Sequence, residues 1–259
     1  MKKTSKLLAV LTILATLAFA GSAFAAELKV ATNAEFEPFE FIKDGKYAGF
    51  DIELLDEICK KTGDTYKIHN MEFDGVVGSV VSKTCDLAVA GLTITPKRAK
   101  TIAFSISYLD AAQYVIVNRK GSINGKTKEE IDKQLEGKKI GVVSGYIGEK
   151  YVTGDKSLLF PGIKGAKVFV FDNVTLAVAD LKNGRVDAVI MDDIVSMKIA
   201  GKAANKSMIK TIEVPLTVEK YAIGLNKKDT ETKARIDKAL AELIEDGTVA
   251  KLLKKWGIR

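Results

Sequence analysis

Directly behind the apolar run Leu87-Ala88-Val89-Ala90, the stretch AGLTITPKRAK (90 to 100) places a glycine, two threonines, a proline and an arginine. These residue types suit the recognition of ions. A guanidinium at Arg98 offers a rigid bidentate fork to a carboxylate, which a lysine ammonium cannot match. A second charged group follows another apolar strand: VDAVIM (186 to 191) runs into Asp192 and Asp193, either of which suits a cation, while Asp193 also stands where it would cap a following helix. A third element is SGYIGEKYV (144 to 152), which reads as a strand entering a helix through two glycines. Free N–H groups at such a start attract anions. Each feature has a plain structural counterpart: a surface ion pair for the arginine, a turn cap for Thr93, and an ordinary turn for the glycine pair. His69 is the single histidine, which removes the usual general base and most metal sites.

Positioning these groups falls to short β-branched runs that alternate with helical patterns. The runs are LKVAT (28 to 32), YKIHNM (66 to 71), DLAVAG (86 to 91), QYVIVN (113 to 118), KIGVVS (139 to 144), KVFVFD (167 to 172), VDAVIM (186 to 191) and YAIGLN (221 to 226). Helices are predicted at about 51 to 62, 74 to 83, 174 to 183, 193 to 203, 231 to 246 and 248 to 256. The alternation predicts an α/β fold with largely parallel sheets covered on both faces. An internal echo runs through it. FDGVVGSVVSKTCDLAVAG (73 to 91) and FDNVTLAVADLKNGRVDAVIMD (171 to 192) each read Phe-Asp, helix, turn, Asp and apolar strand. Aligning Asp86 with Asp187 sets Gly91 and Asp192 at matching strand ends, where open α/β sheets bind ligands.

The first 25 residues combine a lysine-rich start, an apolar run from Leu7 to Ala20 and the small-residue pattern Ala23-Phe24-Ala25, which predicts a secretory signal peptide cleaved after Ala25. That run falls short of the roughly 20 residues a membrane span needs. Loss of Lys2, Lys3 and Lys6 reduces the formal charge of +7 to +4. Lysines interspersed with acids, as in ETKARIDKALAELIED, mark solvated helix surface and argue against nucleic-acid binding. Cys59 and Cys85 are the only cysteines. Export permits a disulfide between them, but two buried thiols is the favoured reading.

In this order, ATNAEFEPFEF (31 to 41), GFDIELLDEI (49 to 58), MEFDGVV (71 to 77), AGLTITPKRAKTIAFS (90 to 105), VDAVIMD (186 to 192) and DGTVAKLLKKWG (246 to 257) resemble the periplasmic solute-binding proteins of polar amino-acid importers of the ATP-binding-cassette (ABC) type, bacterial solute-binding protein family 3. The resemblance covers essentially the whole mature chain. It implies a two-lobed periplasmic-binding-protein fold of type II, each lobe a mostly parallel sheet flanked by helices. Residues 26 to 110 and 220 to 259 would form lobe 1 and residues 111 to 219 lobe 2, with two hinge strands crossing near 107 to 113 and 216 to 221. It further implies a periplasmic monomer that closes on a free polar amino acid and presents it to a membrane permease, with no cofactor.

An amino acid taken out of water needs both its charges paired, because each unpaired charge is costly in a closed cleft. The resemblance assigns the carboxylate to Arg98 and to backbone N–H groups near Tyr146 and Ile147. Thr93 serves both ends, its hydroxyl accepting from the ammonium and its N–H donating to the carboxylate. Asp192, in preference to Asp193, pairs with the ammonium, and the Gly91 carbonyl adds a third acceptor. Phe36 and Phe73 become aromatic walls, while Asn33, Ala90 and Met191, with Glu35 and Val143 nearby, occupy or flank the side-chain region. Similar glutamine binders carry Asp at the place of Asn33, Lys near Val143 and His at Met191. These departures put a basic ligand somewhat ahead of an amide one. The alternative is an enzyme of the cyclohexadienyl or arogenate dehydratase kind on the same fold, with Glu35 as its acid. A charge-pairing set without a second catalytic group favours binding.

Overall fold

A computed structural model of the chain describes residues 26 to 258; the predicted signal peptide lies outside the described residues. Strand β1 (Glu27–Thr32) leads into a small antiparallel sheet of β2 (Glu35–Phe36), β3 (Glu40–Lys43) and β4 (Lys46–Ala48). Helix α1 (Phe50–Thr62) follows. It buries Phe50, Leu54, Leu55 and Ile58, one stripe of a helix, and stops at Gly63, which takes the left-handed conformation at φ 77°. Then come β5 (Thr65–Asn70), α2 (Phe73–Val81), β6 (Leu87–Ala88), α3 (Pro96–Thr101) and β7 (Ile102–Phe104). Strand β8 (Leu109–Ala111) carries the chain across to a second body.

That body contains β9 (Gln113–Asn118), α4 (Lys128–Leu135), β10 (Lys139–Val143), α5 (Ile147–Thr153), β11 (Lys167–Phe171), α6 (Val174–Lys182), β12 (Ala188–Asp192), α7 (Asp193–Gly201) and β13 (Ile209–Ile212). The chain returns through β14 (Glu219–Tyr221), adds β15 (Gly224–Asn226), and closes with α8 (Thr230–Glu245) and α9 (Thr248–Trp256). Strands β8 and β14 pair antiparallel, Ala111 opposite Glu219 and Leu109 opposite Tyr221. Of the α8 stripe, Ile236, Leu240 and Leu243 are buried while Ile244 stays exposed.

The two large sheets have equivalent orders, β5-β1-β6-β15-β7 and β11-β10-β12-β9-β13. Mostly parallel sheets were expected, and four of the five strands in each sheet do run the same way, with β15 and β9 the reversed strands. In each sheet two of the four pairings are parallel and two antiparallel. The cause lies in the crossings: β9 leaves the strand pair and β15 re-enters from it, and each enters its sheet against the direction of the β-α-β strands.

The internal echo is physical. Lys29 N–H donates to Asp86 Oδ2 at 2.8 Å and the Asp86 N–H returns to the Lys29 carbonyl at 2.7 Å. Lys139 and Asp187 repeat this with the same two distances. Upstream, the Ser79 carbonyl accepts from Thr84 and Cys85 as the Asp180 carbonyl accepts from Arg185 and Val186. Cys59 and Cys85 are both buried free thiols, and burial pushes the Cys59 thiol up to about 12.

Candidate functional site

Arg98 owes its position to a helix start. Thr95 Oγ1 accepts from the Arg98 N–H at 3.1 Å and Pro96 holds the first helical position, so α3 begins with both a cap and a preset φ. The guanidinium donates through Nη1 to the Thr93 carbonyl at 2.8 Å and through Nη2 to the Gly145 carbonyl at 3.1 Å. It lies 5.3 Å from the centre of the Phe73 ring. Burial lowers its pKa, opposed by the Glu219 and Asp192 carboxylates. Gly91 sits just upstream at φ 51°, where a Cβ would come within 2.7 Å of Phe36 Cε1. Only glycine fits there. Its N–H donates to Asp51 Oδ2 at 2.8 Å, and the same oxygen accepts from the Tyr108 hydroxyl at 2.9 Å.

From the second sheet, β12 delivers Asp192, which is buried, with Oδ2 accepting from the Tyr221 hydroxyl. Burial first, and Glu219 second, push its carboxyl well above the ordinary range. Asp193 turns aside: its Oδ1 accepts from the Ile194 N–H at 2.7 Å. Glu219 was not foreseen from the sequence. It is buried on β14 and accepts from Thr93 Oγ1 at 2.7 Å, Thr217 Oγ1 at 2.7 Å and Gln113 Nε2 at 3.1 Å. A Thr93 hydroxyl that donates to Glu219 keeps its lone pairs for an incoming donor. The sequence signal for Glu219 was weak, a Glu-Lys pair set between Val218 and Tyr221.

The loop Ser144-Gly145-Tyr146 reaches from the second body to the first. Ser144 Oγ donates to Asp74 Oδ2 at 2.6 Å, and the Tyr146 hydroxyl donates to Asn33 Oδ1 at 3.1 Å. Gly145, at φ 76°, passes so close to α2 that a Cβ would lie 2.1 Å from Asp74 Oδ1. Backbone N–H groups here were expected to serve an anion. The Tyr146 N–H instead donates to the Val143 carbonyl at 3.2 Å, closing the turn.

Nine of the expected residues line one cavity. Phe36, Phe73, Ala90, Gly91, Thr93 and Arg98 come from the first body, and Tyr146, Ile147 and Asp192 from the second. Its volume is about 10 Å³, room for roughly one water molecule. Asn33 borders it through the Tyr146 hydroxyl. Met191 does not line it: side chains alternate along a strand, so Met191 faces the core opposite to Asp192. Glu35 is exposed on β2. A larger cavity of about 280 Å³ opens behind Arg98, between Asp74, Thr101, Ile147, Lys150 and Ser157. No cluster of metal-binding side chains occurs among the described residues. No described helix is long and apolar enough to cross a membrane.

The chain is similar to several known proteins. The lysine/arginine/ornithine-binding periplasmic protein of Escherichia coli (strain K12) is 32% identical over 263 residues, spanning 99% of this chain and 97% of the relative. The arginine-binding extracellular protein ArtP of Bacillus subtilis (strain 168) is 31% identical over 232 residues, 89% and 86% of the two chains. Among solved structures, an ancestral arginine-binding protein bound to arginine superposes with a TM-score of 0.78 at 37% identity, covering 89% of this chain and 97% of that one. The family model for bacterial extracellular solute-binding proteins, family 3, matches residues 28 to 259. The chain therefore belongs to the bacterial extracellular solute-binding proteins of family 3.

Proposed function

We propose that this protein is a monomeric periplasmic receptor that captures a polar L-amino acid, basic ahead of amide, and delivers it to the permease of an ABC importer. The observation that carries the reading is the meeting of opposite charges from two bodies in one cavity, Arg98 with Thr93 on one side and Asp192 on the other, beside the strand pair that joins them. Arg98 takes the ligand carboxylate, while Asp192, Thr93 and the Gly91 carbonyl take the ammonium. Lobe 1 comprises residues 26 to 110 and 220 to 259 and lobe 2 residues 111 to 219. The lobes close about β8 and β14, and occupancy favours the closed form because the ligand bridges both. Relatives whose names specify arginine, lysine and ornithine support the basic preference.

The test is thermal unfolding of the mature protein, refolded to strip carried-over ligand, against the proteinogenic amino acids, ornithine, citrulline, cystine and prephenate. A ligand at 100 times its dissociation constant stabilises the fold by about 2.7 kcal/mol. A shift with arginine, lysine or ornithine is expected. Silence across the amino acids, with a shift or turnover on prephenate, would replace this reading with the dehydratase.

A further inference from the structure

The side chain of Tyr146 sits where the reading above would seat a ligand's side chain. Its ring packs edge-on against both aromatic walls, with centroids 5.5 Å from Phe36 and 4.5 Å from Phe73. Its hydroxyl reaches past them to Asn33 Oδ1 at 3.1 Å. That oxygen faces the ring because the other end of the amide is committed: Asn33 Nδ2 donates to the Met71 carbonyl at 3.0 Å. Burial raises the phenol pKa further, so the hydroxyl stays a neutral donor. With the ring in place the cavity measures about 10 Å³, too little for any amino-acid side chain. A flat apolar body that ends in a hydrogen-bond donor is what this subsite holds, and a long polar amino acid offers the same chemistry.

We infer that Tyr146 is a specificity-determining residue of the cleft, an internal competitor whose phenol must leave the space between Phe36 and Phe73 before a long polar side chain enters it. The inference rests on the amino-acid reading of the site. Binding is then an exchange, in which the ligand replaces both the aromatic contacts and the hydrogen bond to Asn33. An exchange weakens apparent affinity by the fraction of molecules with the subsite cleared, so a ring seated nine parts in ten costs about tenfold. Ligands whose side chains do not restore those contacts are rejected, because the walls and the Asn33 acceptor would be left without partners.

Isothermal titration of L-arginine and L-glutamine into the refolded protein tests this with Tyr146→Ser, which removes the ring, and Tyr146→Phe, which keeps it and loses only the hydroxyl. Tyr146→Ser is expected to bind the preferred probe about tenfold more tightly than the unsubstituted protein, with Tyr146→Phe between the two. General structural damage weakens binding and does not mimic this gain. Equal or weaker binding by both variants, with Arg98→Ala still abolishing binding, would overturn the inference and leave the site reading intact. Absence of binding in the unsubstituted protein and in both variants would overturn the two together.

Discussion

Arg98 holds two carbonyl oxygens and no carboxylate within salt-bridge range among the described residues, so a ligand carboxylate would gain a charged partner by replacing them. Arg98→Ala is expected to abolish amino-acid binding in calorimetry while the protein still unfolds cooperatively, at a lower midpoint because the Thr93 and Gly145 carbonyls lose their donor. Asp192 makes a second prediction. Its raised pKa leaves part of the population protonated near neutrality, whereas an ammonium partner favours the carboxylate. Binding should therefore release protons, and affinity should rise with pH between the pKa of the occupied site and that of the free one. Titration in buffers of different ionisation enthalpy measures the release, and Asp192→Asn should abolish it. At this scale the sequence was legible where polar residue types follow directly on an apolar strand, as at Thr93, Arg98 and Asp192. The Tyr146 ring was not legible, because its direction depends on how a loop of one body meets a helix of the other. Glu219 was hidden for a similar reason, since its partners Thr93 and Gln113 are more than a hundred residues away in the chain.

The elements that carry these residues were readable where periodicity is long. The helices α1, α6, α8 and α9 and the strands β1, β9, β10 and β11 fall within a residue or two of the pattern. Short pieces escaped: β2 to β4, β7 and β13 are two to four residues long, too brief for an alternation of two to declare itself. The run YAIGLN was read as one strand, and the structure divides the segment into β14 and β15. The crossing strand thus ends before the sheet strand begins. The paired aspartates were visible as an echo, but their task was not, since it needs the Lys29 and Lys139 backbones alongside. Because the two clips are alike, Asp86→Ala and Asp187→Ala should each cost about 1 kcal/mol of stability in urea denaturation. A loss confined to one of them would break the equivalence.

At the scale of the molecule, buried acids beneath the cleft govern how stability depends on pH. Glu40 on β3 is fully buried, with its carboxyl beside that of Asp51. Burial first, and then Asp51, raise its pKa. Asp51 itself is raised by burial to about 6. A carboxyl with a raised folded pKa keeps more protons folded than unfolded, so its contribution is full below about 4 and is lost as pH climbs through about 6. The parent should therefore lose stability relative to Asp51→Asn across that window, which urea midpoints at pH 4.5 and 7.5 would reveal. A constant difference between the two proteins would exclude Asp51 as the cause. The sheet orders carry one more consequence. All five strands of the second sheet come from the continuous segment 113 to 212, whereas the first sheet joins β6 to β7 only through β15, at residues 224 to 226. A chain that emerges N-terminus first completes the second sheet while the first still lacks its bridging strand. The lobe begun first is finished last, and a chain cut after Thr217 would keep every strand of the younger lobe while leaving the older one split in two.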